Sequence, residues 1–224
     1  MAFFSLLGAS LDYKNSMFFI VGLSIQGATA ASVAGLVGVI AEERRFGTLT
    51  FLLLSPASRI AVFVGRLLPG VAIATGVSVF TSTLGFLIVG WPLNLVESFG
   101  YLLLIFVASL AGAALGLVLS AFGLIYRDIY QISSAAQLVL LVITGATVAL
   151  ADLPQWVRVL AQGSPLTHAI QAARGLVSGA LSASDYWSLI ASETLVAMVW
   201  LLVALLLMKS LEIRARQKAT VELY

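Results

Sequence analysis

The stretch SFGYLLLIFVASLAGAALGLVLSAFGLIY, residues 98–126, carries no charged side chain and stops at Arg127-Asp128. A helix that crosses the hydrocarbon core of a bilayer needs roughly 20 mostly apolar residues. This run exceeds that length, and it reads as a transmembrane helix over about 100–126.

Working outward, the same reading recurs. Residues 15–41 hold no charge and predict a helix over about 17–41. Arg59 and Arg66 precede the uncharged residues 67–96, which predict a helix over about 60–89, closed by Gly90-Trp91-Pro92. Residues 129–151 predict a helix over about 130–151. A last span over about 187–208 contains one acid, Glu193. Residues 152–180 are more mixed, with Pro154, Arg158, Pro165, His168 and Arg174, and suit short external re-entrant helices better than a span. The tail, 209–224, is basic and amphipathic and is expected on the cytoplasmic surface. The fold class is therefore all-α, a polytopic transmembrane helix bundle of about five spans in a single domain over 1–224.

Composition agrees. Of 224 residues, 61% are hydrophobic and 10% charged, against about a quarter charged in soluble domains. The absence of cysteine excludes disulfides and thiolate metal sites. A net charge of +2 is too small to point to nucleic acid. The N-terminus MAFFSLLGASLDYK lacks the basic region of a secretory signal.

Five spans put residues 42–59, 127–128 and the C-terminus on one side. That side holds Arg44, Arg45, Arg59, Arg66, Arg127, Lys209, Arg214, Arg216 and Lys218; the other holds Lys14, Arg158 and Arg174. The bias predicts an N-terminus outside and a C-terminus inside a cell's inner membrane. Trp91, Tyr101, Trp156, Tyr186 and Trp187 fall near the expected outer boundaries, as an aromatic belt would. Gly27, Ala31 and Gly35 form one small-residue stripe and Gly112 with Gly116 another, both suited to close helix packing in lipid.

Enzyme chemistry has no foothold. The sequence lacks a GxxxxGK[ST] phosphate loop, an HExxH pair and a GxSxG elbow. Its one histidine, His168, has no second imidazole or thiolate to share a metal. Three features are informative. Glu42-Glu43-Arg44-Arg45 leads into Phe46-Gly47-Thr48-Leu49, with Phe46, Leu49, Leu52 and Leu53 on one helical face. It suits either an interfacial helix or a docking element for a cytosolic partner. Tyr126-Arg127-Asp128 marks an inner boundary, where Arg127 also serves as an ordinary positive-inside anchor. Glu193 is a carboxyl inside the last span, either wet, paired with Arg174, or functional. Gln26 and Thr29, with Ser24 and Gln137, are candidates for lining a pathway or for interhelical hydrogen bonds.

The run Glu42-Glu43-Arg44-Arg45-Phe46-Gly47-Thr48-Leu49, followed by Leu52-Leu53-Leu54-Ser55-Pro56-Ala57-Ser58-Arg59, resembles the coupling segment of type-2 ABC transporter permeases. Gly65-Arg66, Gly116-Leu-Val-Leu-Ser120 with Arg127-Asp128, Leu153-Pro154-Gln155-Trp156, and Ser164-Pro165-Leu166-Thr167-His168-Ala169 resemble further stretches of that family, in order. The resemblance departs at the front: the family pattern has an inner amphipathic helix and another span before the coupling segment, where this chain has one span. What it implies is a permease subunit of an ATP-driven exporter, itself no enzyme. ATP and Mg would sit on separate cytosolic ATP-binding cassette subunits, and a second permease chain, in a homodimer or heterodimer, would complete the pathway. Glu42, Glu43, Arg44, Arg45, Phe46, Gly47, Thr48, Leu49, Ser55, Pro56 and Arg59 would couple to the ATPase, and 152–180 would close the pathway from outside. The alternative is a secondary transporter or channel that needs no ATPase. Its signature would be several intramembrane acids or broken helices in symmetric halves.

Overall fold

The computed structural model describes residues 13–47, 59–123, 126 and 128–221. Among them every long element is helical. In chain order these are α1 (Tyr13–Arg45), α2 (Arg59–Val89), α3 (Leu95–Phe122), α4 (Ile129–Ile143), a 3-10 turn (Leu150–Asp152), α5 (Gln155–Gln162), α6 (Thr167–Val177) and α7 (Ala183–Val221). By length and composition, four stretches suffice to cross a bilayer: Ser16–Glu43, Gly65–Val89, Leu95–Phe122 and Ala183–Ser210. The expected stretch Thr48-Leu49 to Ser55-Pro56 lies outside the described residues, as does Arg127.

α3 is the central post. It packs against α1, α2, α6 and α7, and from Ala111 to Ala121 every side chain is buried. α2 and α7 are peripheral and present Leu87, Ile88, Leu195, Met198 and Leu206 outward, as lipid-facing helices do. One apolar cluster joins Val21 and Ile25 of α1 to Leu104 and Ile105 of α3 and to Ala169, Ile170 and Ala173 of α6.

Helix ends depart from the sequence reading for identifiable reasons. α3 starts at Leu95, not near 100, because Asn94 and Glu97 form a reciprocal capping box: Glu97 N donates to Asn94 Oδ1 and Asn94 N to Glu97 Oε2, each at 2.9 Å. It ends at Phe122, four residues before the expected 126.

α4 is the larger correction. It stops at Ile143 rather than 151, so its 15 residues reach about 22 Å, short of the roughly 30 Å hydrocarbon core. Thr144 closes it by donating its hydroxyl to Leu140 O at 2.7 Å, and Gly145 turns the chain at φ +79, a conformation that suits glycine. The final helix, by contrast, does not stop at 208: α7 runs unbroken through the basic tail to Val221.

Residues 152–180 hold two short helices, α5 and α6. Leu153 is extended ahead of Pro154, which opens α5. The turn 163–166 then reverses the chain into α6, which is packed against α7, α1 and α3.

Candidate functional site

Two places gather polar groups in this apolar bundle. The first is the end of the bundle where α1 leaves its span. Glu42 to Arg45 were expected to open a separate coupling segment over 42–58, yet they continue α1. The helix ends only at Phe46-Gly47, where Gly47 adopts φ +71 and Phe46 N donates to Glu42 O at 2.8 Å. Glu42 and Arg45 are exposed, and Phe46 is 74% exposed. Glu43 points back instead and accepts a hydrogen bond from Arg66 Nη2 of α2. That ion pair ties the last turn of α1 to the first turns of α2, across the connection 46–58. Three residues past Arg66, Pro69 sits inside α2. Proline has no N–H to give the carbonyl four residues back, so α2 lacks one rung at Gly65. Gly65-Arg66 followed by Pro69-Gly70 was the available sequence signal for this soft turn.

Gly123 packs against Ile40 of α1, so the α3–α4 connection sits at this same end. Asp128 is exposed and precedes α4, with no side-chain cap bond. Arg59 opens α2 at this end.

The second place is inside the bundle. Glu193 is fully buried, and its carboxylate takes three backbone donors from the start of α6: Leu166 N at 2.7 Å, His168 N at 3.1 Å and Ala169 N at 3.2 Å. The first N–H groups of a helix have no intrahelical partner, and the helix dipole favours negative charge there. A buried carboxylate at this spot is thus satisfied without a cation. His168 Nδ1 lies 3.7 Å from the same carboxylate.

Arg174, one of the alternatives read for Glu193, is elsewhere. Its guanidinium donates to Gly145 O at 2.7 Å, Ala146 O at 2.8 Å and Phe18 O at 3.2 Å, and it lies 3.3 Å from the centroid of the Phe18 ring. The Gly145 and Ala146 carbonyls stand just past the C-terminus of α4, where cations are favoured, and Phe18 O belongs to α1. The proposed Glu193–Arg174 pair is therefore replaced by two separate charge-to-backbone anchors on one helix.

Of the other pathway candidates, Gln26 and Thr29 are buried, and Gln26 Oε1 and Thr29 Oγ1 have no hydrogen-bond partner among the described residues. Gln137 is half-buried on α4. Tyr101, read as part of an aromatic belt, is instead interior: its hydroxyl lies 3.3 Å from Ser24 Oγ and 3.2 Å from Ser82 Oγ, joining α1, α2 and α3. Trp91, Trp156 and Trp187 are exposed, as a belt requires. No cluster of metal ligands occurs among the described residues.

The family model described as ABC-2 type transporter matches residues 1–177, which takes in α1 through α6. No curated protein matches the chain.

Proposed function

Since the chain belongs to the ABC-2 type transporter family, and so is a multi-pass transport subunit of a kind that works with ATP-binding cassette subunits, we propose that it is the permease of an ATP-driven exporter whose ATPase is a separate chain. Residues 42–58 would dock that ATPase at the cytosolic face. The observation that carries this reading is the end of α1. Glu42, Arg45 and Phe46 extend past the span as an exposed, charged and apolar surface, while Glu43 and Arg66 link that same turn to α2. A force on 42–58 would then reach α1 and α2 together, and the missing rung at Gly65 gives α2 a place to bend. Exposed charges of both signs fix register against a polar partner.

In this reading ATP and Mg bind the partner subunits and a second permease chain completes the pathway. The chain sits in the cell's inner membrane with its N-terminus outside, on the positive-inside bias, with α4 and the α5–α6 hairpin together carrying the chain to the outer side before α7. A cysteine introduced at position 13 would then be labelled from outside intact cells and one at position 217 would not.

The rival reading, a transporter driven by an ion gradient, calls for acids free to exchange protons. Glu193 does not suit that role, because three backbone N–H groups already occupy its carboxylate.

The test is the double charge reversal Glu42→Arg with Arg45→Glu, which leaves the Glu43–Arg66 pair intact. Docking predicts loss of the assembled complex and of ATP-driven transport. A headgroup anchor would tolerate the reversal, and full assembly with coupled hydrolysis would overturn the assignment.

A further inference from the structure

We propose that Glu193 is the positioning residue for the α5–α6 hairpin: it holds the turn 163–169 seated deep in the bundle, and removing its charge unseats that hairpin while the rest of the bundle stays packed. Glu193 lies six residues past Trp187, where the apolar part of α7 begins, about 9 Å along the helix axis, so the turn it grips lies below the end of the span. A buried carboxylate is costly wherever it is not matched by donors. Here every contact of its two oxygens within 3.5 Å is a backbone N–H of one turn. The turn depends on the carboxylate as much as the reverse, since the first amides of α6 have no other acceptor at that depth.

Three further observations make the grip specific. Leu166, fully buried, adopts φ +80 and ψ −19. That left-handed conformation is unfavourable for a branched side chain and persists only where the surroundings enforce it. Its amide makes the shortest bond to Glu193. Trp200, seven residues and two turns further along α7, donates from Nε1 to Gly163 O at 3.0 Å. Glu193 and Trp200 therefore lie on one stripe of α7 and hold the same turn at two points, Gly163 and Leu166–Ala169. Finally, α5 contributes little grip of its own: Trp156, Val159 and Leu160 on it are exposed. The C-terminal end of α6 is fixed separately, by Arg174. Losing the carboxylate should thus free one end of the hairpin and leave the other attached.

The experiment uses the full chain in its own membranes and exploits the absence of native cysteine. Ser164→Cys places a reporter at a buried position of the turn, and Ala108→Cys places a control in the buried core of α3. Modification by a membrane-permeant maleimide is followed in each background. Glu193→Gln keeps the shape and one acceptor oxygen but loses the charge, and charge-assisted hydrogen bonds are about twice as strong as neutral ones. It should speed labelling at position 164 by roughly tenfold and leave position 108 unchanged. Glu193→Asp, which keeps the charge, should restore most of the slow labelling. Unchanged labelling at 164 in both Glu193→Gln and Glu193→Leu overturns the proposal. An equal rise at 108 also overturns it, since Glu193 would then support the bundle at large. The transport consequence rests on the permease reading: the purified complex carrying Glu193→Gln should hydrolyse ATP at an altered basal rate with its ATPase fully retained. Absence of an ATPase from the wild-type complex would count against the permease reading alone, because the labelling comparison needs none.

Discussion

The seam between α1 and α3 is held by smallness, and the seat of α6 is held by charge. At the seam, a Cβ on Gly112 would come within 2.7 Å of Thr29 Oγ1 and 3.0 Å of Thr29 Cα, and one on Gly116 within 2.8 Å of Leu36 Cδ1. The two helices touch nearly backbone to backbone, and dispersion over that contact does the holding. At the seat, Glu193 and Arg174 anchor the two ends of one helix by bonding to backbone groups that helix termini leave unpaired. The contrast shows two solutions to one problem: lipid offers no hydrophobic push between helices, so contact must come from close packing or from polar groups that have no better partner.

Four substitutions break or sharpen that contrast. The largest effect is expected at the seat. Glu193→Leu leaves three backbone donors without an acceptor in an apolar interior, and thermal unfolding in detergent should show a loss of about 3 kcal/mol or more. Next is Gly22→Ala, where a Cβ would fall 2.2 Å from Ala146 O and 2.6 Å from Arg174 Nη2. The nearest atom is backbone, so α1 and the chain at Ala146 must move apart and the Arg174 anchor is disturbed with them, at a cost of about 2–3 kcal/mol on the same measurement. At the seam, Gly112→Ala should cost about 1–2 kcal/mol and lower the midpoint without changing hairpin labelling. The smallest effect is expected for Tyr101→Phe. Ser82 retains its bond to Ser78 O and Ser24 its bond to Val21 O, so stability should change by about 1 kcal/mol or less. If Tyr101→Phe proved as damaging as Glu193→Leu, the distinction between the seat and the surrounding polar contacts would collapse.

The seam was partly legible in the sequence and the seat was not. Gly112 and Gly116 at a spacing of four announce a close approach, and that stripe is used. The equally regular stripe Gly27-Ala31-Gly35 meets none of the described residues: a Cβ at Gly27 or Gly35 would find no atom of them within 4 Å. Spacing reports that a face is smooth, not what it packs against. Glu193 and Arg174 stood out as charges in apolar surroundings, and opposite charge suggested pairing them. Their actual partners are main-chain atoms, which look identical at every position of a sequence. The true boundary of α3 was legible in Asn94-x-x-Glu97, whereas the counting of charge gaps ran past the Thr144-Gly145 stop of α4, because neither residue is charged. Four of the five expected spans were readable because apolar length is a property of composition.

The central claim is that this subunit works through a separate ATPase gripped at the end of α1. It is tested most directly by purifying the tagged chain from its own membranes and measuring ATP hydrolysis on the eluate, with and without Glu42→Arg and Arg45→Glu. The account predicts hydrolysis by a co-purifying ATP-binding cassette subunit in about equal amount, lost together with that subunit in the reversed variant. An eluate that transports substrate into vesicles on an ion gradient, with no ATPase present, would contradict it.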